Sequence, residues 1–197
     1  MSKGVAEVDC EKADSTYVTR AGVKLQHGLQ HFALDPGGLV CADLGSHVGG
    51  FVDCLLQYGA KKVYSVDTSY GILAWKLRRD ERVVVMERTN AMHVELPEVV
   101  DLVTIDVGWT PQRRILPRAL SLIKDDGRVI ALIKPQYESF DNERQQGVVL
   151  PQFMAEVLAR VRASIAECGA EVLAETVSPL RGTGGNEEWL FLLKRRT

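Results

Sequence analysis

From Tyr17 onward the chain alternates between short apolar runs and amphipathic stretches. The apolar runs fall at 39–44, 62–66, 83–86, 102–105, 129–133, 171–177 and 189–193. They have strand length rather than helix length. Across 20–32, Val23, Leu25, Leu29 and Phe32 recur at roughly helical spacing, and Pro36-Gly37-Gly38 then forms a turn. Further helical stretches near 50–58, 70–79 and 113–123 sit among the first five runs. A longer one covers 151–168, where Phe153, Val157, Leu158, Val161 and Ile165 share one face. Strands alternating with helices predict a mostly parallel sheet covered on both faces. The last two runs are joined by 178–188, which is glycine-bearing and has no helical pattern, so they predict an antiparallel pair. The expected fold is α/β: a doubly wound seven-stranded, mostly parallel sheet with one antiparallel strand, Rossmann-like. Residues 1–16 are polar and aperiodic and read as a flexible N-terminal tail or linker remnant, leaving 17–197 as the single domain.

Composition supports a folded body and narrows its partners. Hydrophobic residues make up 46% and charged residues 25% of the 197, which excludes global disorder. Lys+Arg number 24 and Asp+Glu 26. The acidic excess lies in residues 1–16, so the body is neutral and any nucleic-acid binding must use local patches. Two basic clusters qualify: Lys76, Arg78, Arg79 and Arg82, and Arg113, Arg114 and Arg118. Either also reads as a solvated helix face. The four cysteines lack metal-ligand or redox spacing, so no metal is expected, and Cys41 and Cys54 read as core residues. No apolar run approaches membrane-spanning length and no signal-peptide core opens the chain, which reads as a reduced, cytoplasmic protein without membrane association.

The candidate chemistry sits at the ends of the strands. The first run leads into Asp43-Leu44-Gly45-Ser46-His47-Val48-Gly49-Gly50-Phe51. Such a glycine turn lets a ligand approach the backbone, although alone it also describes an ordinary strand-to-helix loop. Its spacing is not that of a dinucleotide-binding turn, and Asp43 is placed to face an ammonium rather than a pyrophosphate. Asp67 ends the second run, where a carboxylate holds ribose hydroxyls; a lone strand-end Asp is equally a helix cap. Asn90, after the third run, carries both the donor and the acceptor that an adenine edge needs. Asp106 and Lys134 end the fourth and fifth runs, so they should sit at neighbouring strand tips above the ligand crevice. Spacing does not show whether Lys24 and Glu188 join them.

Taken in order, Tyr17-Val18-Thr19-Arg20-Ala21-Gly22-Val23-Lys24-Leu25, residues 43–53, 73–78, 87–90, 101–107 and Lys134-Pro135-Gln136 resemble the TlyA (hemolysin A) branch of the FtsJ-type methyltransferases. The resemblance runs from Tyr17 nearly to the C-terminus. It implies S-adenosylmethionine as cofactor, with Asp43, Gly45, Ser46, Gly49, Gly50 and Phe51 around its methionine and ribose. Asp67 would hold the ribose hydroxyls, Asn90 would lie near the adenine, and Asp106 would face the cofactor as well as the substrate. It implies a catalytic tetrad of Lys24, Asp106, Lys134 and Glu188 that methylates a ribose 2′-OH of RNA, ribosomal RNA or a ribosomal subunit being the expected partner.

The sequence also departs from the branch. Only residues 1–16 precede the body, so the N-terminal RNA-binding domain usual in the branch is expected to be missing, and a partner would supply that docking. Gly108-Trp109-Thr110-Pro111 replaces the usual small-hydroxyl and aromatic stretch, and the acidic 138–143 replaces a basic glycine-rich loop. That loss of positive charge bears on RNA as substrate more than on the cofactor. The competing readings are a small-molecule methyltransferase of the same fold and a non-catalytic cofactor- or RNA-binding module. Lys134 is the candidate base, and Lys24→Ala or Glu188→Ala is expected to lower turnover without unfolding the protein. A membrane-lytic role has no amphipathic insertion face to support it.

Overall fold

The computed structural model describes residues 16–182 and 184–196. The tail expected over 1–16 therefore lies, apart from Thr16, outside the described residues. In chain order the elements are α1 (Ala21–His31), β1 (Val40–Leu44), α2 (Gly50–Gln57), β2 (Lys62–Val66), α3 (Trp75–Arg78), β3 (Val83–Met86), β4 (Val100–Ile105), α4 (Gln112–Leu122), β5 (Ile123–Ile133), β6 (Arg144–Gln145), β7 (Val148–Val149), α5 (Pro151–Glu167), β8 (Ala170–Val177) and β9 (Trp189–Arg195). Seven strands form one sheet in the order β3-β2-β1-β4-β5-β9-β8. Only β9 runs against its neighbours, pairing antiparallel with both β5 and β8. The seven apolar runs are these seven strands.

The strands read as unbroken apolar runs because both faces are covered. On one face Leu44, Val103, Ile105 and Ala131 pack under Ile115 and Leu116 of α4 and Leu158 and Val161 of α5. On the other, Cys41, Val63, Leu102 and Ile130 pack under Leu25 and Leu29 of α1 and Val52 and Leu55 of α2. Cys41 and Cys54 are buried core residues, as their apolar setting predicts.

Three local features differ from the sequence pattern. The helix expected over 70–79 shrinks to the four residues of α3, because Gly71 takes a positive φ of 77° and Ala74 is extended. β5 begins at Ile123, ahead of the apolar run, and absorbs a register shift against β4 between Val100 and Leu102. Between Lys134 and α5 the chain forms a small β6–β7 ribbon, turning through Gln146 and Gly147, both at positive φ.

Register aligns the strand tips. Leu44 pairs with Val66 on one side and Ile105 on the other, Ile105 pairs with Ala131, and Ile133 pairs with Trp189. The residues that follow these tips therefore share one edge of the sheet. The strand order reverses there, between β1 and β4, which opens a crevice for ligands.

Candidate active site

The turn after β1 is shaped by close approaches. A Cβ on Gly45, at φ +92°, would lie 2.8 Å from the Asp106 carbonyl oxygen. One on Gly49, at φ +104°, would strike Leu77 at 2.3 Å. Side chains at these two positions are excluded by conformation and by space. The turn thereby floors a cavity of ≈ 300 Å³ bordered by Asp43, Ser46, Phe51, Asp67, Asp106 and Lys134. A smaller cavity of ≈ 130 Å³ adjoins it, sharing Gly45, Asp67 and Gly108 and reaching Asn90 and Met92.

Asp43 is fully buried. Its Oδ1 accepts a hydrogen bond from the Thr104 hydroxyl at 2.7 Å, while its Oδ2 has no partner. Burial pushes its carboxyl up to about 8; the Thr104 hydrogen bond opposes that rise, and the negative charges of Asp106 and Asp67 add to it. A carboxylate oxygen left dry and unpaired in a cavity wall favours a cationic ligand. Asp67 behaves differently. Burial favours its neutral acid, but the Ser69 hydroxyl and amide and the His47 amide outweigh burial and hold it below the usual carboxylate range. Ser46 is tied by its hydroxyl to Ser65 at 2.8 Å, so it offers the cavity its backbone; Phe51 is buried behind the turn. Asn90 accepts the Met92 amide at 3.0 Å on Oδ1, which leaves its Nδ2 for the smaller cavity.

The four ionisable residues form two pairs. Lys134 Nζ lies 2.7 Å from Asp106 Oδ1 and donates to the Val107 carbonyl oxygen at 3.1 Å. Both side chains border the larger cavity. Lys24 pairs with Glu188 in a buried ion pair. Glu188 precedes Trp189, the partner of Ile133, so by register it stands beside Lys134. Lys24 follows Ala21, a cavity residue, by about one helical turn. The structure thus brings all four to one strand edge, with two on the cavity and two packed behind it.

Charges around the rim also sort themselves. Lys76 pairs with Asp53, Arg78 with Glu87 and Arg82 with Asp80, while Arg79 stacks on Trp75, so that basic cluster is occupied by its own neighbours. Arg118 donates to the Val94 carbonyl oxygen, whereas Arg113 and Arg114 are exposed at the start of α4. The carboxylates of the acidic stretch 138–143 have local partners, Asp141 pairing with Arg144. Glu138 accepts the Gln112 amide, and Glu143 binds Arg160 and the Phe140 amide. Trp109 is 87% exposed at φ +57°, tilted against Tyr137 with ring centroids 5.3 Å apart.

Sequence reasoning missed Asn186 and Gly182. Buried Asn186 accepts the Val149 amide and donates to the Gly147 carbonyl oxygen, pinning the 178–188 connection to the β6–β7 ribbon. A Cβ on Gly182 would fall 2.4 Å from Glu188 Oε1. In the sequence both look like ordinary loop residues: the partners of Asn186 lie far away along the chain, and the contact of Gly182 with Glu188 depends on how the loop folds back. Among the described residues no His, Cys, Asp and Glu cluster can hold a metal, and no helix is long and apolar enough to cross a membrane.

The profile of the FtsJ-like methyltransferase family matches residues 17–195. Bacillus subtilis YqxC is 40% identical over 183 residues, covering 90% of this chain and 65% of its own length. The Mycobacterium tuberculosis protein named 16S/23S rRNA (cytidine-2′-O)-methyltransferase TlyA is 37% identical over 195 residues, 96% of this chain and 71% of its own. A crystal structure from Lactococcus lactis, described as a candidate hemolysin, superposes with a TM-score of 0.85 at 38% identity, over 90% of this chain and 88% of that one. This chain spans less than two thirds of YqxC.

Proposed function

This chain belongs to the FtsJ-like methyltransferase family, and from that premise we propose that it transfers a methyl group from S-adenosylmethionine to a ribose 2′-OH of ribosomal RNA. S-adenosylmethionine is the methyl donor of this fold. The observation that carries the reading is the Lys134–Asp106 pair on the cavity wall, backed by Lys24–Glu188. A small-molecule site has little use for two lysines and two carboxylates together, and this arrangement also speaks against a merely binding role.

The residues fit the donor. The unpaired Asp43 Oδ2 suits its ammonium, the Gly45 and Gly49 turn admits it close to the backbone, and Asp67 and Asn90 suit the ribose hydroxyls and the adenine edge. When bound, it supplies a methyl group on a positively charged sulfur. The protein must then aim a hydroxyl oxygen at that carbon and take its proton. Lys134 Nζ lies against the Asp106 carboxylate and donates to the Val107 carbonyl oxygen, and these two contacts fix it on the cavity wall, where it can accept the 2′-OH proton once it has released one of its own. Lys24 and Glu188 hold the neighbouring strand tip in place.

Arg113 and Arg114, with Trp109 beside them, form the RNA-facing rim in this reading. Because the body is neutral, docking depends on this patch or on a partner that adds positive charge. The test is methyl transfer from labelled cofactor to ribosomal subunits, total RNA and a metabolite pool, followed by nuclease digestion. The label is expected on a ribose oxygen of ribosomal RNA. A methyl group on a base, or on a metabolite alone, overturns the reading.

A further inference from the structure

Asp106 and Lys134, both on the cavity wall, open two short connections, the irregular 106–111 and 134–138, which holds one 3-10 turn over Pro135–Tyr137. These segments are joined at three levels. Nearest the cavity, Lys134 Nζ contacts Asp106 and the Val107 carbonyl oxygen. Next, the rings of Trp109 and Tyr137 meet. Farthest out, Glu138 Oε1 accepts the amide of Gln112, the first residue of α4, at 2.7 Å. Pro111 precedes that amide and offers no side-chain cap, so the orphan donor of the helix is satisfied from the other segment. A carboxylate there also meets the positive end of the helix dipole. Burial pushes the Glu138 carboxyl up, and the Gln112 amide and Arg113 oppose that rise. Below, Gln112 Nε2 donates to the Leu132 carbonyl oxygen, so the same helix end is tied to β5 just before Lys134.

We propose that Glu138 is a positioning residue: by clamping the start of α4 to the segment after Lys134, it fixes the Val107 carbonyl oxygen and Asp106 against the Lys134 amine. It borders neither cavity, so it acts through these neighbours. Without it, the start of α4 keeps the Gln112 side-chain hydrogen bond to β5, and 107–111 keeps the core packing of Val107, the Trp109–Tyr137 contact and the Lys134 hydrogen bond, but the direct tie to the segment after Lys134 is lost. The Val107 carbonyl oxygen that helps aim the amine then loses its fixed place, and a displacement of about 1 Å in such a group costs roughly a hundredfold in rate. The inference rests on the reading of Lys134 as the base.

The test compares Glu138→Ala with Glu138→Gln, which keeps an acceptor at the same reach. Three quantities are read: amide hydrogen exchange at Gln112 without ligand, S-adenosylhomocysteine affinity, and the single-turnover methylation rate. For Glu138→Ala, Gln112 exchange should accelerate at least about tenfold and the rate should fall at least about tenfold, with cofactor affinity within about twofold of wild type. Glu138→Gln should recover most of the rate. Unchanged Gln112 exchange overturns the clamp, as does faster exchange with an unchanged rate. So does a loss of rate that Glu138→Gln fails to rescue and that cofactor affinity follows. If the wild-type protein methylates no RNA while exchange still responds to Glu138→Ala, the reading of the reaction fails and the clamp stands.

Discussion

Two lysine–carboxylate pairs share one edge of the sheet, and their surroundings differ. In Lys24–Glu188 the side chains are 8% and 3% exposed; in Lys134–Asp106 they are 16% and 20% exposed and open onto the cavity. The same two functional groups therefore suit two tasks. A pair closed off from water has no replacement for a lost partner, so it fixes α1 against the tip of β9. A pair on a cavity wall can give up a hydrogen bond to an incoming hydroxyl and regain it afterwards. Burial, rather than residue type, separates the closed pair from the one that opens onto the cavity.

The largest expected effect lies with the open pair. Lys134→Ala should slow single-turnover methylation on the order of a hundredfold or more while the unfolding midpoint stays nearly unchanged. A fully active variant would erase the distinction between the pairs. Asp106→Ala should lower both cofactor affinity and rate, because its side chain borders the larger cavity and also holds the Lys134 amine.

The closed pair should respond in stability first. Lys24→Ala or Glu188→Ala leaves an uncompensated buried charge, which costs about 3–5 kcal/mol. Chemical denaturation should show that loss, and a double Lys24→Met, Glu188→Leu variant should regain most of it without regaining activity. This adds a stability cost to the expectation from sequence that either single change lowers turnover without unfolding the protein. Single variants as stable as the wild type would mean that water reaches this pair after all.

Asp43 sharpens the contrast through pH. Its carboxyl is raised from 3.8 to about 8 in the folded protein. The folded state therefore keeps a proton that the unfolded chain releases, and the stability of the ligand-free protein should fall as pH rises through that window. Asp43→Asn should flatten the dependence, as read from unfolding midpoints between pH 4 and pH 8. A cationic ligand beside Asp43 should also expel the proton, which calorimetry in buffers of different ionisation enthalpy would detect. A slope of the opposite sign would show that Asp43 is ionised in the free protein. The smallest effect is expected at the rim: Arg113→Ala with Arg114→Ala should weaken RNA binding and reduce its salt dependence by roughly one unit of slope per lost phosphate contact, with cofactor affinity unchanged.

The sheet was legible in the sequence because burial on both faces writes each strand as an unbroken apolar run, and turns punctuate the runs. Asp67, Asp106 and Lys134 stand out because each directly follows such a run, and Asp43 because it interrupts one just before the glycine turn. The pairing of Lys24 with Glu188 could not be read from spacing, since 164 residues separate them and the antiparallel insertion of β9 alone brings them together. The partners of the acidic stretch 138–143 were hidden for a related reason. Charge read along the chain does not reveal that Glu138 turns to a helix end and Glu143 to Arg160. The ribbon held by Asn186 left no trace either, because two-residue strands carry no periodicity.

The insertion of β9 also dictates when the site comes into being during synthesis. β9 is the last of the described strands, yet it lies inside the sheet, between β5 and β8. It delivers Glu188 to a lysine made 164 residues earlier. A nascent polypeptide that has finished β1 to β5 can already shape the glycine turn and join Lys134 to Asp106. It cannot neutralise Lys24, whose ammonium must wait in an incomplete apolar setting until the final strand is threaded into place. Such long-range closure is slow compared with local folding. β9 therefore acts as a latch: a chain halted before Trp189 can hold the glycine turn and the Lys134–Asp106 pair but leaves Lys24 without its carboxylate.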